Sequence, residues 1–191
     1  MIYTLICDNE SKDEKISNES LLSLALSRIG IFKTPKILRT EFGKPYTEDN
    51  SLYFNISNTD SLSVCTVSFE RNVGVDIERV REIKNREKLE KRLLLGLDFG
   101  VFPINDEHRV EFLSIDKVGN ITEEKFEKEK ATVGFFTSWT RLEALIKCDG
   151  RGFSAIKETD KLNFVSLTDS LSIKYKGREY ILSVAIKNKR A

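Results

Sequence analysis

The sequence is poor in histidine: its 191 residues include only His108. This count excludes a zinc site with two or more histidine ligands, and any catalytic triad must use His108 or work without a histidine. We predict that His108 lies on the surface, because the charged residues Glu107 and Arg109 flank it. The chemistry must therefore depend on carboxylates, lysines, hydroxyls or a metal that prefers oxygen ligands.

Cysteines and long apolar runs are also scarce. The three cysteines, Cys7, Cys65 and Cys148, are far apart and form no C-x-x-C pair, which excludes a zinc ribbon and a thioredoxin motif. We predict reduced thiols and a cytoplasmic location. No apolar run approaches the ~18 residues of a membrane span, so we expect no membrane partner. The first residues lack a basic segment and predict a strand rather than a signal peptide.

Neither sign of charge is in excess, since 31 Lys+Arg are matched by 30 Asp+Glu. A near-neutral chain lacks the basic field that drives nonspecific nucleic-acid binding, so we expect no nucleic-acid partner. The hydrophobic fraction of 40% and the charged fraction of 32% are typical of a globular protein. At roughly 100–200 residues per domain, the length predicts one large domain or two small ones.

Apolar periodicity predicts a mixture of strands and helices along the chain. In the first half we predict helices at residues 20–31 and 81–95, and strands at residues 1–7, 52–56, 61–69 and 73–77. In the second half we predict a hairpin of residues 110–115 and 118–121, helices at residues 122–131 (opened by Thr122) and 134–148, and strands within residues 161–186. Two internal similarities, of residues 57–64 to 166–173 and of residues 62–64 to 182–184, have different offsets, so at least one is accidental.

The sharpest local feature is the motif G-V-D-I-E at residues 74–78. In a strand, residues i and i+2 project from the same face, so Asp76 and Glu78 place two carboxylates side by side. Two ionised carboxylates that close repel each other and favour a cation beside them. The alternative is a surface strand with two solvated acids, which is common on half-exposed strands.

A second feature lies on the apolar helix at residues 134–148. Trp139, Glu143 and Lys147 are spaced by four residues and therefore share one helical stripe. The alternative is a simple Glu143–Lys147 pair, worth a few tenths of a kcal/mol. Two weaker features precede it: G-K-P-Y at residues 43–46 presents a lysine from a rigid turn, and F-N-I-S-N at residues 54–58 ends in two small hydrogen-bonding side chains.

In this order, G-K-P, F-N-I-S, G-V-D-I-E and W-x-x-x-E-A-x-x-K resemble the 4′-phosphopantetheinyl transferases, specifically the Sfp-type (surfactin-synthetase-activating) branch. The resemblance runs from residue 44 to about residue 153, and its specific motifs are D-I-E and W-x-x-x-E-A-x-x-K. It implies an α+β (α/β) fold of two similar halves with a pseudo-two-fold relationship, here residues 1–85 and 86–191, with coenzyme A bound between them. A long gap between Glu78 and Glu143 predicts a hairpin insertion near residues 96–120.

The resemblance implies that Asp76, Glu78 and Glu143 hold Mg²⁺. It also implies transfer of 4′-phosphopantetheine from coenzyme A to a serine of an acyl or peptidyl carrier protein. Glu143 and Lys147 are the implied catalytic residues, with Glu143 or a metal-bound water as the base. The residues implied to contact coenzyme A are Lys44, Pro45, Ser57, Asn58, Lys147 and Arg39, and Arg28 and Lys36 are other bases near the nucleotide phosphate.

Two positions depart from the family motifs. Asn58 stands where the family has a histidine, and Leu142 stands where it has a lysine. A hydrogen bond to a charged group is worth about 1.5–3 kcal/mol, so each loss would weaken coenzyme A binding roughly ten- to a hundredfold. The hypothesis is therefore a monomeric magnesium-dependent transferase. Its alternatives are a degenerate homologue that binds coenzyme A or a carrier protein without efficient transfer, and an unrelated α/β protein.

Overall fold

Two β-sheets, each with one helix packed on it, form most of the described chain. The computed structural model describes residues 1–9, 16–92, 108–115, 121–123, 128–130, 134–154 and 166–187. The helices are α1 (Asn18–Arg28), α2 (Arg86–Arg92) and α3 (Phe135–Asp149). The strands are β1 (Ile2–Asp8), β2 (Ile37–Arg39), β3 (Pro45–Thr47), β4 (Tyr53–Asn58), β5 (Leu62–Ser68), β6 (Val73–Arg79), β7 (His108–Ile115), β8 (Ile121–Glu123), β9 (Lys128–Lys130), β10 (Ser166–Tyr175) and β11 (Arg178–Lys187).

The first sheet has the strand order β4-β5-β1-β7-β8, and the second has the order β6-β11-β10-β9. A short hairpin of β2 and β3 stands beside them. The prediction of a mixed α+β fold is therefore confirmed. No helix in the described part of the chain is long and apolar enough to cross a membrane.

Each sheet, taken together with the helix packed on it, includes a strand, a helix and two further strands in the same order along the chain. In the first sheet these are β1, α1, β4 and β5, and in the second they are β6, α3, β10 and β11. The first strand pairs antiparallel with the last strand in both sets, which gives the orders β4-β5-β1 and β10-β11-β6. Residues 62–64 and 182–184, which are similar in sequence, lie on the corresponding strands β5 and β11.

Strand β1 is buried on both faces, and its alternation assigns each face to a different part of the core. Ile2 and Ile6 pack in a cluster that both sheets share, with Val75 and Val184 from the second sheet. The intervening Leu5 belongs to the cluster between the first sheet and α1. The sheets are therefore joined through a common apolar core, which fixes β6 beside β4 and β5.

Helix α3 carries the W-x-x-x-E-A-x-x-K motif and ends where the sequence predicts. Gly150 adopts the left-handed conformation (φ 92°), and its amide donates to the carbonyl oxygen of Ile146 at 2.9 Å. Such a residue closes a helix, and glycine adopts this conformation without steric cost. The buried side of α3, which includes Leu142 and Leu145, packs on β6 and β11.

The prediction of a surface histidine is wrong. The side chain of His108 is only 3% exposed, and its Nε2 lies 2.8 Å from the Oγ1 of Thr4. Its Nδ1 lies 3.5 Å from the carboxylate of Asp169. Because β7 pairs parallel with β1, strand alternation turns His108 inward and leaves the neighbouring Arg109 exposed. The charge of the sequence neighbours therefore does not decide the burial of His108.

The predicted hairpin of residues 110–115 and 118–121 is confirmed in part, since β7 pairs antiparallel with β8, which spans Ile121–Glu123. The prediction of a helix at residues 122–131 is wrong for residues 122–123 and 128–130, which belong to β8 and β9, whereas residues 124–127 and 131 lie outside the described residues. Thr122 pairs with Ser114 of β7, and β9 pairs with β10. The neighbouring strands supply hydrogen bonds that override the helix-favouring composition. Residues 96–107 and 116–120 of the expected insertion also lie outside the described residues.

Candidate functional site

Along one edge of β6, the backbone groups form hydrogen bonds with side chains rather than with another strand. The opposite edge pairs with β11, so the amide groups of Val75 and Ile77 point away from that partner. The amide of Val75 donates to the Oδ1 of Asn55 at 3.0 Å, and the amide of Ile77 donates to the Oγ of Ser57 at 3.4 Å. Asn55 and Ser57 alternate on β4, which places both side chains on the face that meets β6.

Two lysines bond to the carbonyl groups of the same edge. Lys147 donates to the carbonyl oxygen of Val75 at 3.2 Å. Lys44 donates to the carbonyl oxygen of Val73 at 3.4 Å and to that of Cys148, in the last turn of α3, at 2.7 Å. Burial lowers the pKa of Lys44. All four sequence motifs therefore meet along this one strand edge.

The carboxylate of Asp76 is the centre of the polar contacts at this edge. Its side chain is 9% exposed, and its Oδ1 accepts from Lys147 at 2.7 Å and from the Oγ of Ser57 at 2.9 Å. Lys147 also donates to the Oγ of Ser57 at 3.1 Å. The alternative of a solvated surface acid is therefore wrong for Asp76, because α3 covers this face of β6.

Glu143 lies one helical turn before Lys147 on α3. Burial raises the pKa of Glu143, and the negative charges of Asp76 and Glu78 raise it further, while the ammonium of Lys147 opposes them. Glu78 itself accepts from the guanidinium of Arg81 at 2.7 Å. Glu143 is thus close enough to the other two carboxylates singled out from the sequence to be affected by their negative charge.

These carboxylates would offer a hard cation such as Mg²⁺ the type of ligand atom that it prefers. The Oδ2 of Asp76 is buried and has no hydrogen-bond partner among the described residues, which leaves one anionic oxygen uncommitted. The donor atoms are all carboxylate oxygens, the type of ligand that Mg²⁺ takes. In the described part of the chain, no group of three or more His, Cys, Asp or Glu side chains is gathered as tightly as a complete metal site. A cation here would therefore complete its coordination with water and substrate oxygens.

Two of the basic residues expected to contact coenzyme A line separate cavities. Arg39 and Pro45 line one of about 790 Å³ beside the start of α1. Lys44 and Pro45 line another of about 490 Å³, which reaches Gly150. Arg39 donates to the carbonyl oxygen of Gly43 at 3.0 Å.

Arg28 and Lys36 are bonded to carboxylates in this structure. The Nε of Arg28 donates to Glu111 at 2.6 Å, and Lys36 pairs with Glu48 at 2.7 Å. A base that already neutralises a carboxylate attracts a phosphate less strongly. Arg39 is therefore better placed than Arg28 or Lys36 for the expected phosphate contact.

The two positions that depart from the family motifs occupy different environments. Asn58 is exposed, and its Oδ1 accepts from the Oγ of Ser63 at 2.5 Å. Ser63 in turn accepts from the side-chain amide of Asn9. Leu142 is fully buried in the apolar cluster under α3, so a lysine there would lose its hydration.

Sequence reasoning missed three residues that build the site. Asn55 bonds to the edge of β6, Gly74 allows α3 to lie against β6, and Arg81 binds Glu78. The alternation of Asn55 with Ser57 could have identified the first of them. No local sequence pattern identifies the roles of Gly74 and Arg81. The role of Gly74 depends on the packing of α3, and that of Arg81 depends on the path of the chain after β6.

Comparisons with known proteins agree with the motifs. No family model matches the chain. The chain is 28% identical over 122 residues to the 4′-phosphopantetheinyl transferase HetI of Nostoc sp. (strain PCC 7120), which is 62% of this chain and 43% of that protein. It is 30% identical over 114 residues to the 4′-phosphopantetheinyl transferase gsp of Aneurinibacillus migulanus, which is 60% of this chain and 38% of that protein. The matches thus span less than half the length of either relative. The resemblance of this chain to the 4′-phosphopantetheinyl transferases is confirmed by these two similarities.

Proposed function

We propose that the protein transfers 4′-phosphopantetheine from coenzyme A to a serine of an acyl or peptidyl carrier protein in a Mg²⁺-dependent reaction. The observation that carries the proposal is the cluster of Ser57, Asp76 and Lys147 at the edge of β6, because three of the four family motifs contribute to it. The two similar transferases support the same reaction class.

The repeated succession of elements supports a pseudo-two-fold arrangement of two halves. Strand β6 comes before residue 85 but belongs to the second sheet, whereas β7 and β8 come after residue 85 but belong to the first sheet. Each half of the chain therefore contributes strands to both sheets. The boundary between residues 1–85 and 86–191 stays a prediction. In this arrangement β4 and β6 face each other, and the proposed site lies where the two sheets meet.

Asp76, Glu78 and Glu143 would hold Mg²⁺, and the bound cation would neutralise charge on the pyrophosphate of coenzyme A. Lys147 keeps one carboxylate oxygen of Asp76 engaged, so the buried Oδ2 is the oxygen that remains for a ligand. Lys44 has three N–H groups, of which two donate to carbonyl oxygens. The third is available for a phosphate oxygen of the substrate.

Glu143 has the properties of a general base for the serine hydroxyl. Its pKa is raised by burial and by the neighbouring carboxylates, and a carboxylate with a raised pKa accepts a proton more readily. Because Glu143 is implied as a metal ligand as well, a metal-bound water is the alternative base. Ser57, which donates to Asp76, would orient that carboxylate rather than take part in proton transfer.

The proposed setting is a monomer in the cytoplasm. The three cysteines are buried and form no disulfide bond, as expected of a chain in a reducing compartment. The carrier is proposed only by class, as a protein of fatty-acid, polyketide or peptide synthesis.

Incubation of the protein with coenzyme A, Mg²⁺ and a panel of apo carrier proteins tests the proposal. We expect a carrier to gain the mass of one phosphopantetheine arm, and we expect no gain with the Asp76→Asn variant or with a chelator. If calorimetry detects coenzyme A binding but no carrier gains mass, the protein is a binding homologue rather than a transferase. If coenzyme A does not bind at all, the family's activity does not apply to this chain.

A further inference from the structure

The guanidinium of Arg81 is fixed against the proposed cation site. Arg81 lies two residues after the end of β6, and its Nη1 donates to the Oε2 of Glu78 at 2.7 Å. The same nitrogen donates to the carbonyl oxygen of Arg79 at 3.0 Å. Its Cζ lies 5.6 Å from the ring centroid of Phe136 on α3, within the range of a cation–π contact. These contacts hold a positive charge on one of the three carboxylates.

We infer that Arg81 competes with the divalent cation for Glu78, because its guanidinium binds this carboxylate, and that it thereby lowers the cation affinity of the site. This inference rests on the proposed function, since it requires Glu78 to be a cation ligand. A cation that binds Glu78 must displace Arg81 from the Oε2 atom or share the carboxylate with it. In either case the positive guanidinium repels the cation.

Lys147 and Arg81, which each bind a carboxylate of the proposed site, have different roles. Lys147 bonds to the Oδ1 of Asp76 and leaves the buried Oδ2 without a partner among the described residues, so a cation can bind Asp76 while Lys147 stays in place. Lys147 also donates to Ser57 and to the backbone of β6, which fixes it in the fold. Arg81 has a 48% exposed side chain, and its hydrogen bonds go to Glu78 and Arg79, close to it in the chain, so its release disturbs less of the structure.

How strongly Arg81 competes with the cation depends on the solvent exposure of the Arg81–Glu78 ion pair. An exposed ion pair is weak, and the loss of a nearby positive charge adds to the gain. Replacement of Arg81 by a neutral residue should therefore increase cation affinity about two- to fivefold. Arg81→Lys keeps the charge and should stay close to the parent protein.

Arg86→Gln is a matched control. Arg86 also forms an ion pair at 2.7 Å, with Glu90, and its guanidinium lies 5.7 Å from the ring of Phe135. Its side chain is 56% exposed, similar to that of Arg81. The two arginines thus differ mainly in that only Arg81 binds a carboxylate of the proposed site.

The test measures Mn²⁺ binding by electron paramagnetic resonance, with calorimetry of Mg²⁺ as a second measurement, on the parent protein, Arg81→Gln, Arg81→Lys and Arg86→Gln. Tighter binding by Arg81→Gln alone supports the inference. Unchanged or weaker binding by Arg81→Gln overturns it, and so does an equal gain in Arg86→Gln, which would indicate a general charge effect. If no variant binds Mn²⁺, the inference also fails. The binding of coenzyme A and the mass gain of carriers, measured separately, then decide whether the proposed function stands.

Discussion

A methyl group on Gly74 would collide with the carbonyl oxygen of Ala144 and the amide nitrogen of Cys148. Gly74 belongs to β6 and the other two residues to α3, so the missing side chain allows the backbones of strand and helix to approach each other. This approach brings Glu143 and Lys147 of α3 over Asp76. The first residue of the G-V-D-I-E motif is therefore part of the site's construction.

Gly74→Ala should destabilise the protein by about 3 kcal/mol or more, because the obstacles are backbone atoms that side-chain motion cannot relieve. The free energy of unfolding in urea measures the loss. The variant should also bind divalent cations more weakly, since α3 must move away from β6. A variant of parental stability would contradict the close packing of α3 on β6.

Asp76→Asn should reduce transfer activity about a hundredfold or more while the fold persists. The amide retains an oxygen that can accept from Lys147 and Ser57, but it removes the anionic charge. Asp76→Ala should in addition destabilise the protein, because Lys147 loses its buried partner. Turnover assays and thermal unfolding of both variants distinguish the two effects. Normal turnover of Asp76→Asn would show that Asp76 does not serve the reaction.

Glu143→Gln should stabilise the protein at neutral pH and lower its cation affinity. The pKa of Glu143 in the folded state is raised above its ordinary value of 4.5, so the folded protein holds the carboxyl proton more tightly than the unfolded chain does. Stability therefore falls as the pH rises through these two pKa values. The gain in Glu143→Gln should be at most about 1 kcal/mol after solvent screening, and it should disappear below about pH 4. Thermal melting between pH 3.5 and 7.5 tests the sign; a gain that grows toward low pH would contradict the raised pKa.

Tyr175→Phe should destabilise the protein by about 1–3 kcal/mol, because the hydroxyl of Tyr175 donates to the buried carboxylate of Asp8 at 2.6 Å. Burial raises the pKa of Tyr175 to about 12, with the hydrogen bond to Asp8 acting in the same direction. Tyr180→Phe is the matched control: the hydroxyl of Tyr180 is buried without a hydrogen-bond partner among the described residues. Its removal should leave the free energy of unfolding unchanged or higher. Equal losses in the two variants would contradict this assignment.

Asn58→His should increase coenzyme A affinity up to about tenfold by restoring a side chain that can carry positive charge. The position is exposed, so the larger ring fits without repacking the core. Leu142→Lys should instead cost several kcal/mol, since the side chain lies in the apolar cluster of α3. Calorimetry with coenzyme A and thermal unfolding measure the two effects. No gain in affinity for Asn58→His would place the phosphates away from residue 58.

The parts of the site that follow local periodicity could be predicted from the sequence. Asp76 and Glu78 share a face because strand residues alternate, and Glu143 and Lys147 share a stripe because helix residues recur after four positions. Contacts between distant elements could not be predicted in this way. One of the two carbonyl groups that Lys44 binds is 104 residues away in the chain.

The fold shows the same limit. Burial of His108 depends on the pairing of β7 with β1, and residues 121–123 and 128–130 form strands only because β7 and β10 lie beside them. Propensity within one segment contains no information about such partners. The motifs predicted which residues lie together at the edge of β6, whereas the reasons for their positions lie in the pairing of the sheets.

The hydrogen bonds along the edge of β6 that does not pair with β11 also have a consequence for solubility. An unpaired strand edge is a template on which another chain can add a strand, and proteins guard such edges with charged or bulky groups. Here Lys44, Asn55, Ser57 and Lys147 occupy the backbone groups of this edge. The side chains that assemble the site therefore also shield the protein against aggregation through β6, so substitutions that empty this edge expose it to intermolecular strand pairing.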